Sequence, residues 1–292
     1  MNNTLAQKSG GDLVLIKILL EIGALFAVAI VALLFTQAKH NADIAQAWRT
    51  LQTRASSIER FSKEMIADQP EPVQRYFLHA FEDTAPEIPI ASSVHLKMSG
   101  TLRLAPTQEW MPLQAEELLS TQGFVWKATA GKGLMQMQGA DYYMHGAGRS
   151  RFSLWGLIPV VNAQSPDVMR SSIGRWMGEC FWLPTALLPS RGVSWRAIDA
   201  NTIQASLKAD GELLRLTFVI DAQGRLLRSS FLRWGNQTED KHYAEIPFGA
   251  TYEAEQTFDG YTIPSQISAG WWSGTDRYFE FFRMTLEQAE FR

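Results

Sequence analysis

The chain has 292 residues, 46% of them hydrophobic and 20% charged, with 27 Lys and Arg against 30 Asp and Glu for a formal net charge of −3. These proportions exclude intrinsic disorder, which pairs low hydrophobicity with high net charge, and they lack the basic footprint of a nucleic-acid binder. The single cysteine, Cys180, excludes an internal disulfide framework and a thiolate metal cage, so a packed core must hold the fold.

After a short tail, residues 1–12, the stretch from Leu13 to Phe35 runs 23 residues broken only by Lys17 and Glu21. As a helix it is about 34 Å long, enough for a hydrocarbon core of about 30 Å. Lys17 and Glu21 share one helix face near its start, where the lysine can snorkel toward headgroups. Thr36-Gln37-Ala38 matches a small-x-small cleavage site poorly, so the segment reads as an uncleaved transmembrane helix and not a signal peptide. Lys8 and Lys17 on one side balance Lys39, Arg49 and Arg54 on the other, and the positive-inside count does not decide orientation. A short tail before a large domain places that domain outside the cytoplasm, on an inner-membrane anchor.

Residues 41–66 predict an amphipathic helix, with Ile44, Ala47, Trp48, Leu51, Ala55, Ile58, Phe61 and Met65 on one stripe. The stripe either packs on the domain behind it or recruits a partner. A second short helix, Glu71 to Phe81, opens with Pro72 in its first turn.

The period then falls to two. Val94, Leu96, Met98, Leu102 and Leu104 alternate with polar residues, and further strands are predicted at Phe124–Ala128, Leu134–Met137 and Tyr142–His145. In the last third, Asp210-Gly211, Asp221 to Gly224 and Asp259-Gly260 are turns between alternating runs, which demands antiparallel pairing. Between the strand groups, Ser165-Pro166-Asp167 opens a helical insertion near 165–189. The expected fold is α+β, mainly β: a meander of roughly eight to eleven antiparallel strands over residues 70–292, packed on helices.

Catalytic signatures are sparse. Gly-x-Ser-x-Gly, His-Glu-x-x-His and a complete phosphate loop are all absent. Asp141 and His145 share a face if their strand is regular, but no nucleophile is tied to them by spacing. Arg175 and Glu179 pair at i,i+4 among Trp176 and Trp182, either as a structural ion pair or as an anion-recognition site. Neighbouring Trp271 and Trp272, and Phe281 and Phe282, are expected to face opposite sides of their strands, so both sheet faces touch apolar material.

Several segments together carry a resemblance. They are Val73-Gln74-Arg75-Tyr76-Phe77, Trp110-Met111-Pro112-Leu113, Gly123-Phe124-Val125-Trp126, Asp141-Tyr142 with Gly146 and Gly148, Gly178-Glu179, Trp182-Leu183-Pro184-Thr185-Ala186-Leu187-Leu188-Pro189, and Gly260-Tyr261-Thr262-Ile263-Pro264. The chain resembles a bacterial membrane-anchored family catalogued as a domain of unknown function, and more distantly the half-barrel of periplasmic lipoprotein carriers. The first likeness implies no activity; the second implies a curved sheet that shelters acyl chains.

The favoured reading is a single-pass membrane protein that binds a lipophilic or amphipathic molecule at the cell envelope, in an apolar cavity beneath the sheet. Candidate liners are Trp126, Tyr142, Trp155, Trp176, Trp182 and Trp271, with Arg175 and Glu179 as polar contacts. No catalytic residue, cofactor or metal is assigned. The alternatives are an envelope hydrolase using Glu179, Asp141 or His145, and a scaffold whose amphipathic helix recruits another protein.

Overall fold

The computed structural model describes residues 3–52, 59–81 and 88–292. It divides into two compact units, one ending at Asp43 and one spanning Ile44–Arg292. Helix α1, Asn3–Leu51, supplies the first through Asp43 and its last residues, from Ile44, belong to the second. Among the described residues, the stretch Leu15–Leu51 is the one helix long and apolar enough to cross a membrane. Leu20, Leu25, Phe26 and Phe35 are exposed along it. The sequence predicts two separate helices here, but no glycine or proline interrupts residues 36–40. Thr36 instead turns its hydroxyl inward, donating to the Leu33 carbonyl at 2.8 Å, and the helix continues.

The amphipathic stripe is shorter than its periodicity predicts. Ala55 and Ile58 lie outside the described residues, and by Glu59 the backbone is extended: Phe61 N donates to Ile88 O at 2.9 Å and Ile90 N to Glu59 O at 2.8 Å. Phe61 stacks on Phe81 at 4.0 Å, and Met65 falls in a 3-10 turn, Lys63–Ile66.

The second unit holds thirteen strands in one antiparallel sheet. They are β1 Ser93–Leu102, β2 Met111–Ser120, β3 Gly123–Ala130, β4 Met137–Met144, β5 Ala147–Leu154, β6 Ile158–Ala163, β7 Ser194–Ala197, β8 Thr202–Ala209, β9 Glu212–Ile220, β10 Leu226–Gly235, β11 Ala244–Phe258, β12 Tyr261–Trp271 and β13 Phe279–Phe291. Two runs of hairpins, β1 to β6 and β7 to β13, meet where β1 pairs with β13, so the first and last strands lie in mid-sheet and β6 and β7 are the edges. The meander and its antiparallel sense follow from the short turns. At Asp210-Gly211 both residues have positive φ, 47° and 84°, as a twisted two-residue hairpin requires.

The strand count exceeds the sequence expectation because β6 and β7 fall outside the alternating patterns. β6 reads Ile-Pro-Val-Val, and Pro159 is tolerated because this strand pairs only with β5.

Helix α2, Glu71–Ala80, buries Tyr76 and Phe77 against Trp195 and Phe218. Helix α3, Pro166–Glu179, begins at the cap predicted for it: Ser165 Oγ accepts from Val168 N at 3.2 Å. It packs on β4 and β5 of one run and on β9 and β10 of the other, so the sheet curls around it without closing. Asp210 joins the runs by accepting from the Tyr143 hydroxyl.

The opposite sheet face is also covered. Leu118 and Leu119 are both fully buried on alternate sides of β2, and Leu118 joins Val125, Ala140, Ile44, Ala47 and Leu51 in a separate cluster. Trp48 packs edge-on to His95 at 5.2 Å and lies 3.8 Å beneath the Lys127 ammonium. Among the described residues, Ile44, Ala47, Trp48 and Leu51 of the stripe are therefore spent on their own domain, which argues against the scaffold reading.

Candidate ligand cavity

Inside the curl, between α3 and the two runs of strands, lies a cavity of about 310 Å³. Its lining is mainly aromatic and aliphatic, with Phe152, Phe231, Phe248, Trp271 and Phe282 prominent; Asp141, Arg175, Glu179 and Arg233 supply most of its polarity. A tight backbone approach shapes one wall. A Cβ on Gly178 would sit 2.7 Å from the Phe231 ring, so only glycine lets α3 settle against that phenylalanine.

The first wall is a row across three strands. Glu117 on β2, Trp126 on β3 and Asp141 on β4 are register neighbours, and α3 brings Arg175 against them. The Arg175 guanidinium bonds Asp141 Oδ2 at 2.7 Å and Glu179 Oε1 at 2.8 Å. It also lies 4.7 Å from the ring centres of Phe124 and of Trp126. Burial opposes its charge, but Glu179 and Asp141 outweigh that and hold it protonated.

Glu117 has no exposed surface. Burial first, and the neighbouring Glu179 carboxylate second, push its pKa well above the usual carboxylate range. Neither Glu117 oxygen nor Glu179 Oε2 has a hydrogen-bond partner, and a proton on Glu117 keeps a second bare negative charge from being buried beside Glu179. A raised folded-state pKa contributes stability below the unfolded value of 4.5 that is lost as pH rises through the folded value. We therefore expect Glu117→Gln, which carries its donor at every pH, to flatten the decline in thermal midpoint above pH 4.5; an unchanged decline would show that Glu117 is ionised in the fold.

The second wall carries Arg233 on β10, whose guanidinium lies 4.9 Å from the Phe248 ring centre and 5.0 Å from that of Trp271. Burial, and next the charge of Arg175, lower its pKa to about 10.

Of the residues predicted from sequence, Trp126, Arg175, Glu179, Trp182 and Trp271 line this cavity. Three lie elsewhere. Tyr142 points to the other sheet face and packs against the cluster of Leu118, Val125 and Ala140, because it is one step out of phase with Asp141. Trp155 is half-exposed in the β5–β6 turn with φ 52°. Trp176 is buried one residue round from Arg175 and donates to Ser120 O at 2.8 Å. His145 has φ 48° in the β4–β5 turn and is exposed, so it does not share a site with Asp141. Among the described residues, no group of three His, Cys, Asp or Glu is arranged to hold a metal.

Two expectations about paired aromatics fail for local reasons. Trp272 has left the strand with φ 60°, and its indole donates to Gln237 O at 2.8 Å. Phe281 and Phe282 both line the cavity: Ala269 opposes Phe282 while Gly270 opposes Glu280, so Phe281 is the extra residue of a bulge.

Sequence reasoning missed Glu117 and Arg233, although each breaks a pattern. Glu117 shares strand parity with Leu113, Ala115 and Leu119, and Arg233 with Ser229 and Phe231, so both are charges on an inward face.

No curated protein matches the sequence. Among solved structures, a LolA superfamily protein from Nitrosomonas europaea is similar at 10% identity and TM-score 0.40, covering 75% of this chain and 93% of that one. An outer membrane lipoprotein-sorting protein domain from Vibrio parahaemolyticus is similar at 11% identity and TM-score 0.40, covering 76% and 91%. A DUF1329 family protein from Desulfovibrio piger has 8% identity and TM-score 0.38, covering 76% and 94%. A family model matches residues 67–291, nearly the whole sheet-bearing unit, and the chain belongs to that family, the family of unknown function DUF6920.

Proposed function

We propose that this protein is a membrane-anchored binder of a lipophilic or amphipathic molecule, held at the envelope by residues 13–35, with its β-rich domain extracytoplasmic. The observation that carries the reading is the cavity. Protein interiors are close-packed, yet about 310 Å³ stands open among aromatic walls. That volume lies at the lower end of the range for ligand sites, about 300–1,000 Å³, which are likewise mostly apolar with a few placed polar groups. The unbroken helix through residues 36–38 supports an uncleaved anchor. Asp141 and Glu179 are both bonded to Arg175 and His145 is exposed in a turn, which argues against a hydrolase built on these three.

The test uses the full chain. It should sediment with membranes, keep residues 13–35 by intact mass, and release a lipophile on solvent extraction after purification. Ala250→Trp, which fills the cavity from β11, should fold normally and lose most of that lipophile. Equal lipid recovery from both proteins would end the proposal.

A further inference from the structure

The cavity's polar groups are unequally satisfied. Asp141 and Glu179 are both engaged by Arg175. Arg233, on the facing wall, has only the Phe248 and Trp271 rings. Among the described residues no carboxylate or carbonyl reaches it, and its Nε is buried without a partner. Asp141 and Glu179 favour its charge from a distance, which makes burial tolerable but leaves the Nε–H donor unfilled. An unfilled buried donor destabilises a fold, so an acceptor brought by an occupant would stabilise this wall.

A guanidinium offers a planar fork matched to carboxylate or phosphate oxygens. A cationic head would face two arginines and carboxylates already engaged, while a neutral head would leave the Arg233 charge unanswered. Asp141 Oδ1, Glu179 Oε2 and Trp126 Nε1, also without partners, belong to the far wall around Arg175. The modest volume suits one hydrocarbon chain better than two.

Resting on the binding reading above, we infer that the occupant is a single-chain amphipath with an anionic carboxylate or phosphate head, which Arg233 receives while the chain lies along Phe248, Trp271, Phe281 and Phe282. Arg233 is thus the specificity-determining residue of the cavity.

The experiment uses the full chain in phosphatidylcholine nanodiscs with ten-carbon photoreactive probes that differ only in head: carboxylate, phosphate, alcohol or trimethylammonium. Labelling of cavity peptides is normalised to labelling of residues 15–35, which corrects for partitioning into lipid. At least one anionic probe should label the cavity about tenfold more than the alcohol, the scale of one charge-assisted hydrogen bond. The stronger of the two identifies the head as carboxylate or phosphate.

Arg233→Met should abolish that preference while alcohol labelling persists, and Arg233→Lys should keep part of it. Removing an unpaired buried charge in favour of an apolar side chain is neutral or stabilising, so Arg233→Met should melt no lower than the wild type. Alcohol or trimethylammonium labelling equal to the anions, or a preference that survives Arg233→Met, overturns the inference and leaves the binding reading standing. Absence of cavity labelling by every probe overturns both.

Discussion

Replacing Arg175 with leucine should destabilise the fold by about 3–5 kcal/mol, the usual effect of removing one partner from a buried ion pair. The magnitude follows from what remains. Asp141 and Glu179 lose their shared cation, bonded at 2.7 and 2.8 Å, and Glu117 adds a third carboxyl to a region with little access to water. Two controls separate this cause from lost packing. Arg175→Leu combined with Asp141→Asn and Glu179→Gln should recover much of the deficit, because the two carboxylate charges that Arg175 offsets are then removed with it. Acidification should narrow the gap between Arg175→Leu and wild type, since protonating the stranded carboxyls discharges them. Denaturant unfolding of the full chain, followed by tryptophan fluorescence, measures both; a single variant within about 1 kcal/mol of wild type would mean the pair is idle, as surface pairs often are.

The second large effect is expected at Gly100, in the seam where β1 meets β13. Opposite Met284 in register, a Cβ at this position would lie 2.0 Å from the Arg283 carbonyl oxygen and 2.8 Å from the Met284 Cα. Both are backbone atoms of a central strand and cannot rotate away. Gly100→Val should therefore cost more than about 3 kcal/mol, in the range that marks a broken structural feature. Hydrogen exchange should show protection lost first along β1 and β13. Thr101→Val, one residue on, adds a β-branched side chain where one already stands and should change stability by less than about 1 kcal/mol. Similar stabilities for the two variants would refute the tight seam.

The elements that sequence reveals here are those set by neighbours along the chain. The Ser165 cap, the Asp210-Gly211 turn and the Arg175–Glu179 pair are spaced within four residues, where propensity and periodicity act. Glu117 and Arg233 owe their roles to partners on other strands, and a lone charge of inward parity was the available sign. Phe281 escaped because a bulge shifts the two-residue period by one, and nothing local distinguishes it from a regular strand. Tyr142, Trp155 and Trp176 show the limit of aromatic content as a guide: each is large and apolar, but one faces the other side of the sheet, one occupies a turn, and one serves the core. β6 lacked signal because an edge strand need not alternate.

The pairing of the first strand with the last has a consequence for how the polypeptide is made. Leu96 emerges from the ribosome well before its neighbour Ala289, which lies 193 positions further along the chain. At about 5–20 residues per second, the growing chain spends many seconds with β1 bare on one side. Such long-range closure is slow compared with hairpin formation. The leading hairpins can zip as they appear, but they must wait, oily side open, for β13 to be made. Nascent chains of this kind are natural clients for holding chaperones. A premature stop before Phe279 would strand β1 and β12 without their shared neighbour in the middle of the sheet, the situation most apt to end in aggregation.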